Sequence, residues 1–286
     1  TELLILLSGI VSMELLIFFV ICFYILSSAG YYVYFFNQEE YLYKTGYYLL
    51  LTGFVFHTIL ICWGYIKFGH IPARNLYETL SLAGWSIAGV FLVLRYKFNL
   101  KILGVFAAPF AAVVVLTAAI VFPDVPPEAQ PLFKSLWLSL HLITIFLGEA
   151  ALALACGTGI MYLIQENAIK TKKHGMLYKR LPSLDLLDNT GYFCIVAGFS
   201  MLTIGLITGL IYAKHVWGRF WSWDPKEIWS MISWLVYAAL IHERVVVGWR
   251  GRRAAIMAII GFLFLLFTFF GINFFLEGHH GEFTRV

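Results

Sequence analysis

Long uninterrupted apolar runs alternate with short polar connections along this chain. Eight runs reach the length that crosses a bilayer, about 20 residues at 1.5 Å per residue. They cover roughly 3–28, 45–66, 77–94, 102–122, 132–165, 190–212, 225–247 and 254–276. The pattern predicts an all-α polytopic transmembrane bundle that forms one integral-membrane domain over residues 1–286. The fifth run is long enough to project beyond the bilayer. The first starts almost at residue 1 without a basic leader or a small-residue cleavage site, so it reads as a spanning helix and not a removed signal. Pro123, Pro126 and Pro127 mark a turn that cannot continue a helix.

Composition agrees with this pattern. Apolar residues make up 61% of the chain and charged residues 13%, more apolar sequence than a water-soluble core needs. Basic residues concentrate in three connections. Arg95, Lys97 and Lys101 lie between the third and fourth runs, and Lys170, Lys172, Lys173, Lys179 and Arg180 between the fifth and sixth. Arg244, Arg250, Arg252 and Arg253 lie between the seventh and eighth. With eight spans these connections share one side, which the positive-inside rule makes cytoplasmic. Both termini are then expected outside. The four cysteines, Cys22, Cys62, Cys156 and Cys194, fall in different apolar runs and read as small packing residues. Without a Cys-x-x-Cys pair the chain reads neither as a c-type cytochrome nor as a thiol–disulfide transporter.

One polar connection carries most of the candidate chemistry. Five of the nine tryptophans lie between Trp217 and Trp234. Asp224-Pro225-Lys226-Glu227 has the form of a helix start: an aspartate cap, proline in the first turn and a carboxylate placed to reach back. Ahead of it, Trp217, Phe220, Trp221 and Trp223 mix with the cations Lys214 and Arg219. Flat aromatic faces beside cations suit a flat, apolar, anionic ligand, although an aromatic belt at a membrane surface also uses tryptophan. With eight spans this connection, 213–230, lies opposite the basic ones, on the extracytoplasmic side.

The string Trp217-Gly-x-x-Trp221-x-Trp223-Asp224-x-Lys226-Glu227-x-Trp229 resembles the tryptophan-rich WWD motif of the haem-handling cytochrome c biogenesis proteins, a superfamily that includes the CcsA/ResC, CcmC and CcmF families. The resemblance implies an extracytoplasmic haem platform formed by Trp217, Trp221, Trp223 and Trp229 with Asp224. Arg219 and Lys226 are candidates for the haem propionates. Asp224 and Glu227 read as helix caps and not as catalysts.

Haem iron most often takes histidine as an axial ligand, and a histidine inside a membrane span is a candidate functional residue by default. There are eight: His57, His70, His141, His174, His215, His242, His279 and His280. His141 lies about two turns inside the outer end of the fifth run, and His280 lies just past the outer end of the last. Both fall on the side of the tryptophan-rich connection, as a six-coordinate haem would need. The resemblance to CcsA/ResC extends to Leu136-Trp137-x-x-x-His141 and to Gly271-x-Asn273…His280, segments like those bearing that family's two external haem ligands. Alignment on Gly271 and Asn273 selects His280 over His279. His242, about 25 Å from Pro225 at 1.5 Å per residue, matches the family's intramembrane histidine. Its second ligand is then expected on a CcsB/ResB-type partner, with His57 as the alternative within the chain. His70 and Asn75-Leu-Tyr-Glu78 resemble a further CcsA segment, and Asn75 and Glu78 also have capping-box spacing. His215 reads as a spare ligand or a surface residue, and His174 as solvated. The resemblance spans roughly Gly69 to His280.

The implied function is export and handling of haem b and its covalent attachment to apocytochrome c Cys-x-x-Cys-His segments by a system II type synthase. It would act in a bacterial inner membrane or a thylakoid membrane, with no part for nucleic acid. Two other readings stand beside it. A b-type electron carrier of a quinone-linked complex would need facing histidines at matched depth, which only His57 and His242 approach. A HemX-like membrane protein acting by interaction would not need His141 and His280.

Overall fold

The computed structural model describes residues 2–73, 75–121, 134–172 and 175–271. Its helices are α1 (Glu2–Asn37), α2 (Glu40–Phe68), α3 (Leu76–Phe98), α4 (Gly104–Val121), α5 (Leu136–Lys170), the short α6 (Met176–Arg180), α7 (Leu184–Trp217), α8 (Pro225–His242) and α9 (Arg252–Leu266). α8 and α9 each pass into a π-helical segment, Glu243–Val247 and Phe267–Gly271. There is no strand among the described residues. All but α6 are long and apolar enough to cross a membrane, so the protein is an integral membrane protein with an all-α fold.

The eight predicted runs are all present, with different ends. α1 continues past 28 to Asn37 because Tyr31 and Tyr34 are buried there against Tyr43 of α2. α7 begins at Leu184, ahead of the expected 190. Ser183 accepts from the Leu186 N–H at its start, and Asp185 accepts from Asn189 along its first turn, 3.0 Å. Such local bonds let polar residues open a helix. Asn75 caps α3 as its spacing predicts, accepting from the Glu78 N–H at 2.8 Å.

α5 is the centre of the bundle. It packs on α3, α7 and α9, and its pairing with α7 is the most extensive in the molecule. The pairing is antiparallel: Thr158 meets Gly191, Leu152 meets Gly198, Ile145 meets Gly205 and His141 meets Gly209. Gly191, Gly198 and Gly205 recur every seven residues on α7, the period that keeps one face toward a partner helix. A Cβ at Gly198 would lie 2.6 Å from Leu152 Cγ and 3.0 Å from the Gly148 carbonyl oxygen, so the backbones meet directly.

The basic connections gather at one end of the bundle. Lys101 pairs with Glu40 at 2.6 Å, Arg180 donates to the Phe36 carbonyl at 2.8 Å, and Arg252 pairs with Glu166 at 2.9 Å. Arg95 donates to the Tyr43 hydroxyl. An even number of helices separates these connections from one another, so the connection between α7 and α8 lies at the opposite end.

Candidate functional site

The loop between α7 and α8 is shaped at both ends by hydrogen bonds. α7 stops because Gly218 adopts φ 73°, a left-handed conformation that glycine takes without penalty; its N–H donates to the Lys214 carbonyl. The Lys214 ammonium closes the same turn by donating to the Gly218 carbonyl at 2.8 Å, and a cation there also meets the negative end of the helix dipole. α8 starts at Asp224, which accepts from the Lys226 N–H at 2.9 Å within a full capping box with Glu227. Glu227 also accepts from both the backbone and the hydroxyl of Ser222, each at 2.8 Å. Asp224 is buried. Its carboxylate serves the helix start, as its position in the sequence predicts, and shapes the loop from within.

Between these clamps stands Trp223, with φ 61°. A bulky residue rarely takes a left-handed conformation, which costs about 1–3 kcal/mol and persists only where neighbours enforce it. Here Ser222 and Asp224 are both fastened to Glu227. The outcome is an indole that is 75% exposed, at right angles to Trp221 with 5.9 Å between centroids. Phe220 is exposed beside them, and Trp217 packs edge-on against Tyr212. Arg219 is exposed and makes no hydrogen bond or ion pair among the described residues. Lys226 lies beside the Asp224 charge.

Trp229 lies one turn into α8. It sits in the seam between α8 and α9, 4.6 Å from the Phe267 ring and 6.4 Å from Phe264. The structure brings Trp221 and Trp223 together on the loop, holds Trp217 at the end of α7 against Tyr212, and places Trp229 against the end of α9. Residues 272–286 follow that end; His279 and His280 lie outside the described residues, as does His174.

His141 occupies a shaped slot. Its Nδ1 donates to the Gly205 carbonyl at 2.7 Å, which fixes the tautomer and leaves the ring's lone pair on Nε2. The Thr208 hydroxyl lies between the Ile204 and Gly205 carbonyls, at 2.9 and 3.0 Å. A Cβ at Gly209 would stand 2.7 Å from His141 Nδ1, so only glycine leaves room for the ring. An imidazole held by a carbonyl on one nitrogen is the usual form of a metal-binding histidine. Gly209 lies about 12 Å along α7 from Trp217, at 1.5 Å per residue.

His242 ends α8 at the other end of the bundle. It is exposed and makes no hydrogen bond or ion pair among the described residues. With Met231, Leu235 and Ala239 it forms one outward stripe. A histidine facing outward from a membrane bundle calls for a partner.

His57 is held in the core. It is fully buried among α1, α2 and α3, with Nε2 2.9 Å from Ser81 Oγ and Nδ1 3.3 Å from the Tyr24 hydroxyl. Both nitrogens are engaged in a polar core contact, and α2 packs on α1 and α3, whereas α8 packs on α7 and α9. His70 is buried, donates to the Ile71 carbonyl and stacks on Phe68. His215 is bonded to the Ile211 carbonyl of its own helix. All four cysteines are free; Cys156 and Cys194 are buried, and Cys62 faces outward on α2 instead of packing inside.

Two features escaped the sequence reading. Glu149, two turns beyond His141 on α5, lines an apolar cavity of about 90 Å³ with Phe110, Phe146, Phe262 and Leu265, and has no hydrogen-bond partner among the described residues. A lone carboxyl within the run 145–155 was the available signal. The second is a bidentate Arg244–Asp188 pair, 2.8 and 2.7 Å, next to His242.

The fold and site define a class: a polytopic helical membrane protein with a strained tryptophan loop at one end and a carbonyl-pinned histidine behind it. A family model described as "Cytochrome C assembly protein" matches residues 73–280. Among similar proteins are two named "Cytochrome c biogenesis protein CcsA". That of Guillardia theta is 33% identical over 264 residues, covering 86% of this chain and 87% of that protein. That of Synechococcus sp. (strain JA-3-3Ab) is 33% identical over 270 residues, covering 76% and 78%. The solved structure of "Cytochrome c Heme Lyase CcmF" has the same fold, with a TM-score of 0.62 at 16% identity; the match covers 95% of this chain and 48% of that one, about half its length. The chain belongs to the cytochrome c assembly protein family, within its CcsA group.

Proposed function

We propose that this protein receives haem b at the inner end of the bundle, presents it at the tryptophan loop and attaches it to apocytochrome c. The loop and both termini face away from the cytoplasm, and the basic connections face toward it. A bacterial inner membrane or a thylakoid membrane is the setting, and the tryptophan loop (213–230) is the haem platform. The observation that carries this reading is the His141 slot, because Gly205 commits Nδ1 to a carbonyl and so directs the ring's lone pair to Nε2. Trp217, Trp221 and Trp223 offer apolar faces to the macrocycle, Trp229 backs them from the α8–α9 seam, and Arg219 is available to a propionate. His280 completes the axial pair at the outer site. His242 holds haem at the inner site with a ligand from a CcsB/ResB-type partner.

Attachment is an addition. Each thiol of a Cys-x-x-Cys-His segment adds across one haem vinyl group: sulfur bonds to the carbon next to the ring and the thiol hydrogen goes to the terminal carbon. No external redox agent is consumed in that step. The protein's own share is to hold the haem edge-out, exclude water and yield one axial position to the incoming histidine. A b-type electron carrier draws no support from the histidines. Such a carrier needs a second imidazole facing His242, and His57 is spent on Tyr24 and Ser81.

The test is the absorption spectrum of the protein purified with its partner, oxidised and reduced, for the wild type and His141→Ala/His280→Ala. The wild type should give a low-spin bis-histidine spectrum. The double variant should lose the outer signal or turn high-spin, with added imidazole restoring part of it. An unchanged spectrum would remove the outer ligands from the proposal.

A further inference from the structure

His242 stands at a point where a helix would ordinarily fray. It is the last residue of α8, and the chain leaves the bundle a few residues later. The structure after it is nevertheless closed by bonds to α7 and by bonds within the segment. Arg244 is only 8% exposed. Its two terminal nitrogens donate to the two oxygens of Asp188 at 2.8 and 2.7 Å, and one of them also reaches the Trp249 carbonyl at 3.3 Å. The guanidinium lies 4.7 Å from the centre of the Tyr192 ring, one turn along α7 from Asp188. Asp188 accepts a further bond from the Gly251 N–H, 2.8 Å. Within the segment itself, the Glu243 carbonyl accepts from both Gly248 and Trp249. Gly248 and Gly251 have φ 77° and 66°, which let the chain turn back toward α7.

We propose that this clamp, Asp188 with Arg244 and the π-helical segment Glu243–Val247, is the positioning device for His242; the inference rests on the reading of His242 as the inner haem ligand. Residues two apart on a helix point about 200° apart at 3.6 residues per turn. Anchoring Arg244 inward on α7 therefore points the Cα–Cβ bond of His242 outward and keeps the end of the helix from turning about its axis. The imidazole has no hydrogen bond of its own to orient it among the described residues, so its direction comes from the backbone that the clamp holds. Single-turn π segments within helices are rare and occur often at functional positions. A bidentate guanidinium–carboxylate pair is the side-chain contact that best fixes direction as well as distance.

The experiment uses the protein purified with its CcsB-type partner and compares wild type, Asp188→Asn, Arg244→Lys and His242→Ala. In haem-free protein, hydrogen–deuterium exchange across 243–251 should speed up in Asp188→Asn and Arg244→Lys, while α5 and the outer half of α7 stay protected. In haem-loaded protein, both variants should weaken retention at the inner site about tenfold, the scale on which supports of a metal ligand act. They should also shift its reduction potential and leave the outer-site signal in place, and exogenous imidazole should recover the low-spin form. Arg244→Lys keeps the charge and loses the fork, so it separates direction from ion pairing if Asp188→Asn fails to accumulate. If His242→Ala leaves the inner signal intact, the reading of His242 itself fails. If His242→Ala removes that signal while the clamp variants match the wild type in retention and potential, the clamp is a packing anchor only and the inference is overturned.

Discussion

Trp223 shows what a single residue can be made to do by its neighbours. Its φ of 61° would relax if Ser222 and Asp224 were not both fastened to Glu227. Trp223→Gly should therefore stabilise the loop by about 1 kcal/mol, the penalty for a bulky left-handed residue, and should at the same time weaken haem retention. Thermal unfolding and haem titration of one preparation read both; a variant that loses stability would show that the indole supports the loop instead of being held out by it. Glu149 is the reverse case, a polar group for which the surroundings offer no hydrogen-bond partner among the described residues. Placing a carboxyl on a cavity wall beside Phe110, Phe146 and Phe262 costs free energy even when it is neutral. Glu149→Leu is expected to raise the thermal midpoint, followed by intrinsic fluorescence in detergent; an unchanged or lower midpoint would mean that the carboxyl contributes to the fold.

The helices were legible in the sequence because a bilayer requires length, and length is visible. Their ends were not, because ends depend on partners. Asp188 reads as loop on its own, yet lies inside α7 with Arg244, 56 residues away, as its counterion. The cap at Asp224 could be read because every group it needs lies within a few residues. The seat of His141 could not, since its acceptor is the carbonyl of Gly205, 64 residues distant. The seat of His57 is hidden for the same reason: its partners, Tyr24 and Ser81, belong to other helices. Trp229 belonged to the motif by sequence and to the α8–α9 seam by packing.

For the molecule as a whole, the α5–α7 seam decides what can move. Backbones that touch at Gly148 and Gly198 cannot slide past one another without collision. A disulfide across the seam should thus leave haem transfer intact. The bridge has to sit away from Gly148 itself, where a Cβ would lie 3.0 Å from the Gly198 carbonyl oxygen and 3.2 Å from Met201 Cβ, closer than the roughly 3.5–4.5 Å that a disulfide needs. Activity lost on oxidation and regained on reduction would show that the seam works by moving. Along α7, Asp188 and Tyr192 hold the segment behind His242, while Gly205 and Gly209 seat His141. Asp188 and Gly209 are about 31 Å apart at 1.5 Å per residue. Both histidines are therefore marks on one rigid ruler. On the proposed function, haem would cover that interval while α5 and α7 keep their register.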